Sequence, residues 1–213
     1  MQTNLEVFAR KNAPTVKEYQ ELFGMIQDQT GRLSHLSEVL LDMTGIQSIE
    51  RSDSISLAEL ADEVCCDLAS IADQKEVALI QEEGDCTVTG SYLLLYRAVY
   101  NLVENAIKYN HPGGKVTVII SQKKAVPDPF AHSQSTDCAF VEVTDTGIGI
   151  SPEFQEKIFD PFFRVDKSRS RAMGGAGLGL ALVNEIARQH GGQVKVLASS
   201  EKGSTIALIL PLS

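Results

Sequence analysis

The sequence predicts an α+β domain from about residue 51 to residue 213. Helices would cover one face of a mixed, mostly antiparallel sheet, and a helical hairpin would precede it in residues 1–50. Three observations predict this. From residue 51 on, segments with apolar residues three and four apart are interspersed with short segments whose apolar residues alternate. Some of the alternating segments are joined by brief polar turns such as Glu201-Lys202-Gly203, which suits antiparallel pairing. Residues 15–45 carry a single long helical period instead. At 43% hydrophobic and 22% charged residues, the chain can bury a sizeable core. A net charge of −9 argues against nucleic acid as the main partner. Cys65, Cys66, Cys86 and Cys138 form no C-x-x-C pair, so reduced thiols are expected rather than a zinc site or a disulfide framework. No run approaches 18 apolar residues and no signal peptide is visible.

The elements can be taken in order. Residues 1–10 read as helical, with Leu5 and Phe8 facing a partner, and Pro14 suits a fresh helix start. From Thr15 to about Gly45, Val16, Tyr19, Phe23, Ile26, Leu33 and Leu40 lie on a heptad-like seam with polar interruptions. So wide an apolar face needs a bundle. A homodimer making four helices is the natural solution, and a hairpin folded onto its own domain is the alternative. Ile46–Ser54 reads as a polar connector. Ser56-Leu57-Ala58-Glu59 is a capping box opening a helix to about Gln74. Glu76–Ile80 and Cys86–Thr89 read as strands joined by the turn Glu83-Gly84-Asp85. Ser91–Asn110 reads as one helix, ended by His111-Pro112-Gly113-Gly114. Lys115–Ser121 and Cys138–Thr144 read as strands around a long polar loop, 122–137. A short helix is expected at Pro152, a longer one up to His190, and closing strands at Val194–Ala198 and Thr205–Leu210.

Four segments carry chemistry. On helix 91–110, Leu95, Val99, Leu102, Val103 and Ala106 make a core stripe, while Asn101, Glu104, Asn105 and Lys108 fall at i, i+3, i+4 and i+7. That second stripe is either a solvated face or a wall for a metal ion and an anion. Asp145-Thr146-Gly147-Ile148-Gly149 follows a strand. It is either a plain turn or a carboxylate for an exocyclic amine, with glycines that let a flat ring approach backbone. Arg164, Lys167, Arg169 and Arg171 concentrate positive charge in an acidic chain. They precede Gly174-Gly175-Ala176-Gly177-Leu178-Gly179, which leads into a helix whose N-terminus favours an anion. This run is neither a dinucleotide fingerprint, since no strand precedes it, nor a P-loop, since no Gly-Lys-Ser/Thr closes it.

Asn101 to Tyr109, Asp145 to Gly149, Phe159-Asp160-Pro161-Phe162-Phe163-Arg164 and Gly175 to Leu180 resemble, in order, the N, G1, F and G2 boxes of two-component sensor histidine kinases. Gly203-Ser204-Thr205 resembles that family's last turn. The resemblance implies a two-layer Bergerat ATP-binding fold in residues 51–213, and a partial dimerisation and phosphotransfer hairpin in residues 1–50. It implies ATP and Mg²⁺ as cofactors. Asn105 would hold Mg²⁺, with Asn101 beside the phosphates and Glu104 near the metal's water or the attacking imidazole. Lys108, Arg164 and Lys167 would face phosphate, and Tyr109 would line the adenine pocket. Asp145, with Gly147, Gly149 and, through water, Thr205, would take the adenine. Phe162, Gly175, Gly177, Leu178 and Gly179 would complete the site, with residues 164–176 as a lid. The implied reaction moves the γ-phosphoryl of Mg-ATP to a histidine for relay to a response-regulator aspartate, in the cytoplasmic portion of a membrane sensor.

The family's acceptor motif, His-Glu-x-x-Thr-Pro, is absent. His35, His111, His132 and His190 do not fit it, and MQTNLEVFAR resembles the segment just downstream of that motif in the family. The expectation is a portion that starts immediately after its acceptor, binds ATP and does not label itself. Two other readings stay open: a degenerate ATP-binding or dimerisation module, and an anti-sigma-type protein Ser kinase.

Overall fold

The computed structural model describes residues 50–124, 137–165 and 177–212, together with 15, 19, 20, 22–24 and 26. Residues 19, 20, 22–24 and 26 are helical, with Tyr19, Phe23 and Ile26 exposed along the predicted seam. The rest of the predicted hairpin, with His35, lies outside the described residues, as do His132, Lys167 and Gly175.

The described residues run in the order β1 (Asp53–Ser56), α1 (Leu57–Gln74), β2 (Ala78–Gln81), β3 (Thr87–Gly90), α2 (Tyr92–Lys108), β4 (Lys115–Lys124) and β5 (Asp137–Asp145). Two single 3₁₀ turns come next, Pro152–Phe154 and Lys157–Phe159, then α3 (Gly179–Gln189), β6 (Gln193–Ser200) and β7 (Gly203–Pro211). The main sheet has the order β2-β4-β5-β7-β6, antiparallel except for the β2–β4 pair. This is the α+β architecture expected from the sequence.

The two faces of the sheet are set by strand alternation. Val116, Val118, Ile120, Val141, Val143, Ile206, Leu208 and Leu210 point to one side, where α1, α2 and α3 bury Leu60, Leu68, Leu95, Val99, Leu102, Val103, Leu182 and Ile186 against them. Each such aliphatic side chain is worth about 1.5–3 kcal/mol in removal from water, so this layer is what makes the site's elements rigid. Cys138, Phe140, Ala207 and Ile209 cluster on the opposite face.

Helix α1 starts as predicted. Ser56 is extended at the cap, its Oγ accepts the Glu59 N–H at 3.2 Å, and its hydroxyl donates to Asp85 Oδ1 at 3.1 Å. The same carboxylate oxygen accepts the Ala58 N–H at 3.0 Å. This contact also bears on the one pairing the sequence misassigns. Strands β2 and β3 are not a hairpin: β2 runs parallel to β4, and β3 pairs with β1, whose first two residues are the last two of the expected connector. The chain continues past β2 along β4, with the Glu82 N–H donated to Val118 O at 2.9 Å and Gly84 packed onto Ile120 O too closely for a Cβ. Asp85 is thereby carried to the start of α1, and β3 comes alongside β1. The strands on either side also reach into the segment read as a long loop: β4 extends to Lys124 and β5 begins at Asp137, and the residues between them lie outside the described ones.

Candidate functional site

Helix α2, the end of β5, the segment after the 3₁₀ turns and the start of α3 enclose one cavity of about 450 Å³. Asn101, Glu104, Asn105, Lys108 and Tyr109 all line it, so the polar stripe is a wall of this cavity. The adjoining core stripe buries Leu95, Val99, Leu102, Val103 and Ala106 and fixes the helix's rotation. Asn101 Nδ2 donates to Arg97 O at 2.8 Å, and Asn105 Nδ2 donates to Asn101 O at 2.8 Å. A carbonyl can only accept, so the NH₂ ends are committed and the amide oxygens are the ends left for a ligand. Neutral oxygens on a rigid helix suit a hard cation that keeps water and phosphate as its other ligands. No group of three His, Cys, Asp or Glu that could hold a metal ion occurs among the described residues.

Asp145 forms the second wall. It ends β5 and accepts the Gly147 N–H at 2.8 Å and an N–H from Ser204. Burial raises its carboxyl above the ordinary range, while these two backbone bonds and the nearby His111 pull it back. Beyond it the chain turns at Gly149, whose φ of 69° is left-handed and which packs onto Ser200 O. Ile150 N–H then donates to Ser199 Oγ at 2.7 Å. Leu102, Ala106, Val143, Ile150 and Ile206 supply an apolar lining between the two polar walls, which suits a flat ring.

The third wall is Ile158, Phe163, Arg164 and Val165, with Phe163 tilted against Phe154 at a ring separation of 5.7 Å. Arg164 Nε and Nη2 are buried with no hydrogen-bond partner among the described residues. Buried guanidinium nitrogens without a partner are costly, and an anion in the cavity would satisfy them. The fourth wall is Gly177, Leu178, Gly179 and Leu180 at the start of α3. No side-chain bond caps this N-terminus among the described residues, and a helix start that lines a cavity in this way suits an anion. A Cβ at Gly179 would sit 2.6 Å from Asn101 Oδ1, and a Cβ at Gly177 (φ 73°) would sit 2.7 Å from Phe163 O. Glycines here let α3 close against both neighbouring walls.

Three expected residues sit elsewhere. Phe162 points outward, 60% exposed, with a left-handed φ of 65° fixed by its N–H bond to Gly177 O at 2.8 Å; Phe163 faces the cavity instead. Thr205 is on the opposite face of β7, hydrogen-bonded to Thr144 Oγ1 at 3.0 Å, and does not line the cavity. Ser204, 5% exposed, takes the inward position. Strand alternation alone predicts this, because Ile206, Leu208 and Leu210 share its parity. Gly147 does not line the cavity but bonds Asp145 from behind. The lining residues Ile148, Ile150, Ser151, Ile158, Leu180 and Ile206 carried no separate signal in the sequence.

The described histidines are not placed as acceptors. His190 is half-buried; its Nε2 accepts the Ser91 N–H at 3.0 Å and its Nδ1 donates to Ile186 O at 2.8 Å. His111 follows α2 and does not line the cavity.

Comparisons with known proteins agree with this geometry. The family described as histidine kinase-, DNA gyrase B- and HSP90-like ATPase matches residues 90–213, which span all four walls. The sensor-like histidine kinase SenX3 of Mycobacterium tuberculosis is 33% identical over 205 residues, 94% of this chain and 46% of its own length. The sensor histidine kinase RppB of Synechocystis is 33% identical over 214 residues, 98% of this chain and 44% of its own. The chain thus spans about half the length of these relatives. The solved mycobacterial sensor histidine kinase MprB superposes with a TM-score of 0.59 at 27% identity, over 75% of this chain and 97% of that one. The chain therefore belongs to the histidine kinase-, DNA gyrase B- and HSP90-like ATPase family, and within it carries the ATP-binding catalytic domain of a sensor histidine kinase.

Proposed function

We propose that this domain binds ATP with Mg²⁺ and transfers the γ-phosphoryl group to a histidine on a helical hairpin, for relay to a response regulator. The observation that carries the reading is the convergence of Asn101, Glu104, Asn105, Lys108, Asp145, Arg164 and the uncapped start of α3 on one cavity. Asp145 would accept the adenine amine. Ser204 would lie beneath it, and Tyr109 would lie against the ring. The α3 N-terminus, Lys108 and Arg164 would hold phosphate oxygens. Asn105, with Asn101 beside it, would hold the metal through its amide oxygen, and bound Mg²⁺ supplies neutralisation of the phosphate charge. The acceptor imidazole nitrogen would form a bond to the γ-phosphorus as the bond to the bridging oxygen breaks and ADP leaves. Glu104 would orient that imidazole through its other N–H or take up its proton.

We further propose that the exposed seam of Tyr19, Phe23 and Ile26 belongs to a homodimerising hairpin and that the domain works in the cytoplasm beneath a membrane-anchored parent. No helix among the described residues is long and apolar enough to cross a membrane. The test uses labelled ATP, the chain alone, and the chain with a family hairpin bearing the acceptor histidine supplied in trans. Acid-labile label on the hairpin, and none on the chain alone, is expected. ATP bound without transfer to any hairpin would instead favour a binding-only module.

A further inference from the structure

We infer that Asn110 and Thr146 are positioning residues whose side chains set the spacing between the phosphate wall and the base wall, an inference that rests on the ATP-site reading above. Asn110 stands just beyond Tyr109 on the α2 side, and Thr146 just beyond Asp145 on the β5 side. Neither lines the cavity. Asn110 Oδ1 accepts the Thr146 hydroxyl at 3.2 Å and the His111 N–H at 2.9 Å, and its Nδ2 donates to Lys115 O at 2.9 Å. Thr146 Oγ1 in turn accepts the Lys115 N–H at 2.8 Å, and Thr146 N–H donates to Lys115 O at 3.1 Å.

The β4–β5 ladder runs from Lys124–Asp137 to Val116–Asp145. At the next position the Thr146 hydroxyl replaces a backbone carbonyl as acceptor, and Asn110 joins the rung from the helix side. The clasp thus ties the last turn of α2 to the first residue past Asp145. A parallel backbone tie, Ile148 N–H to Tyr109 O at 3.2 Å, lies beside it. Two glycines make room for it. A Cβ at Gly114 would collide with the Asn110 amide, and one at Gly147 would collide with Tyr109 O.

The consequence concerns ligands that span both walls. Asn105 and Lys108 belong to α2, whereas Asp145 belongs to the sheet, and a nucleotide gains from both only when their separation is set beforehand. Losing the clasp leaves each wall intact and spoils their alignment.

Calorimetric titration of the chain with Mg-ATP and Mg-GTP tests this on Asn110→Ala, Thr146→Val, Thr146→Ser and the double variant N110A/T146V. Asn110→Ala and Thr146→Val should each weaken ATP about five- to tenfold, the worth of one hydrogen bond. Thr146→Ser, which keeps the hydroxyl, should bind as the wild type does, and the double variant should be no weaker than the weaker single one. GTP, which lacks the amine that Asp145 reads, should lose less than ATP. Unchanged ATP affinity in both single variants, a serine variant as weak as the valine one, or proportional losses of ATP and GTP with a lowered melting temperature would each overturn the inference. A wild-type chain that does not bind Mg-ATP would remove the ATP-site reading and this inference together.

Discussion

The Asp145 carboxylate gives the most exposed test of the base wall. Part of its acceptor capacity is used from behind by the Gly147 N–H at 2.8 Å and by Ser204, and the remaining lone pairs are left for a ligand. In Asp145→Asn the single amide oxygen must stay with those donors, so the NH₂ group turns toward the adenine amine. A charge-assisted bond is lost and two donors are set face to face. The lost bond is worth about 1.5–3 kcal/mol and the unsatisfied donor about 1–3 kcal/mol. Taking the low end of the two together, about 2.5–3 kcal/mol, Mg-ATP affinity falls about a hundredfold. The ligand-free fold should change little, because one oxygen still accepts from the turn. Calorimetry with Mg-ATP, paired with the melting temperature of the ligand-free protein, separates the two effects. Retention of ATP affinity within a factor of about three at unchanged melting temperature would show that this carboxylate does not read the adenine amine.

Three further outcomes are expected. Ser204→Ala should weaken Mg-ATP in calorimetry, whereas Thr205→Val should cost about 0.5–1.5 kcal/mol of stability in a denaturant titration, through its lost bond to Thr144, and leave affinity alone. Arg164→Met should lower Mg-ATP affinity about tenfold or more and leave the ligand-free protein as stable or more so, because it removes buried donors that have no partner among the described residues; a large drop in ligand-free melting temperature would contradict that. Burial holds the His190 imidazole below its ordinary value of 6.5, with the Ile186 carbonyl bond opposing and Arg51 assisting. The unfolded chain therefore takes up a proton first, so this contribution is full above about pH 6.5 and fades as pH falls below it. Urea titrations from pH 8 to 5 should show this acid-side loss flattened in His190→Gln.

Where the sequence is readable, short-range geometry forces the answer. Helical period alone places Asn101, Glu104, Asn105 and Lys108 on one wall, because the apolar stripe leaves α2 no other rotation. The Ser56 cap is equally local, with hydroxyl and N–H three residues apart. The unreadable parts depend on distant partners. Strand β1 is four residues of polar pattern and becomes a strand only because Asp85 brings β3 to it. The outward turn of Phe162 comes from a bond to Gly177, fifteen positions on, in a backbone conformation no Phe favours. Ser204 is readable by parity, and the resemblance draws attention to its neighbour Thr205 instead.

The four walls differ in how complete they are without a ligand, and that difference is itself mechanistic. The asparagine and backbone donors of the α2 and β5 walls are tied within the protein: one N–H of each asparagine amide is bonded back along the helix, which leaves its oxygen for a ligand, and Asp145 is held by two backbone donors. Those of the α3 and Arg164 walls are not, since one presents an uncapped helix start and the other buried guanidinium nitrogens. Unsatisfied donors cost free energy that an anion returns on binding. On the proposed ATP reading, the Asp145 end of the cavity would be a preformed gauge, and the α3 and Arg164 end would be where nucleotide changes the protein's energy most. Phe162 N–H bonded to Gly177 O, and Gly177 packed on Phe163, join those two unsatisfied walls directly. An anion seated between them strengthens both sides of one joint. Loss or transfer of the terminal phosphoryl group would then be felt first there, and only afterwards at Asp145.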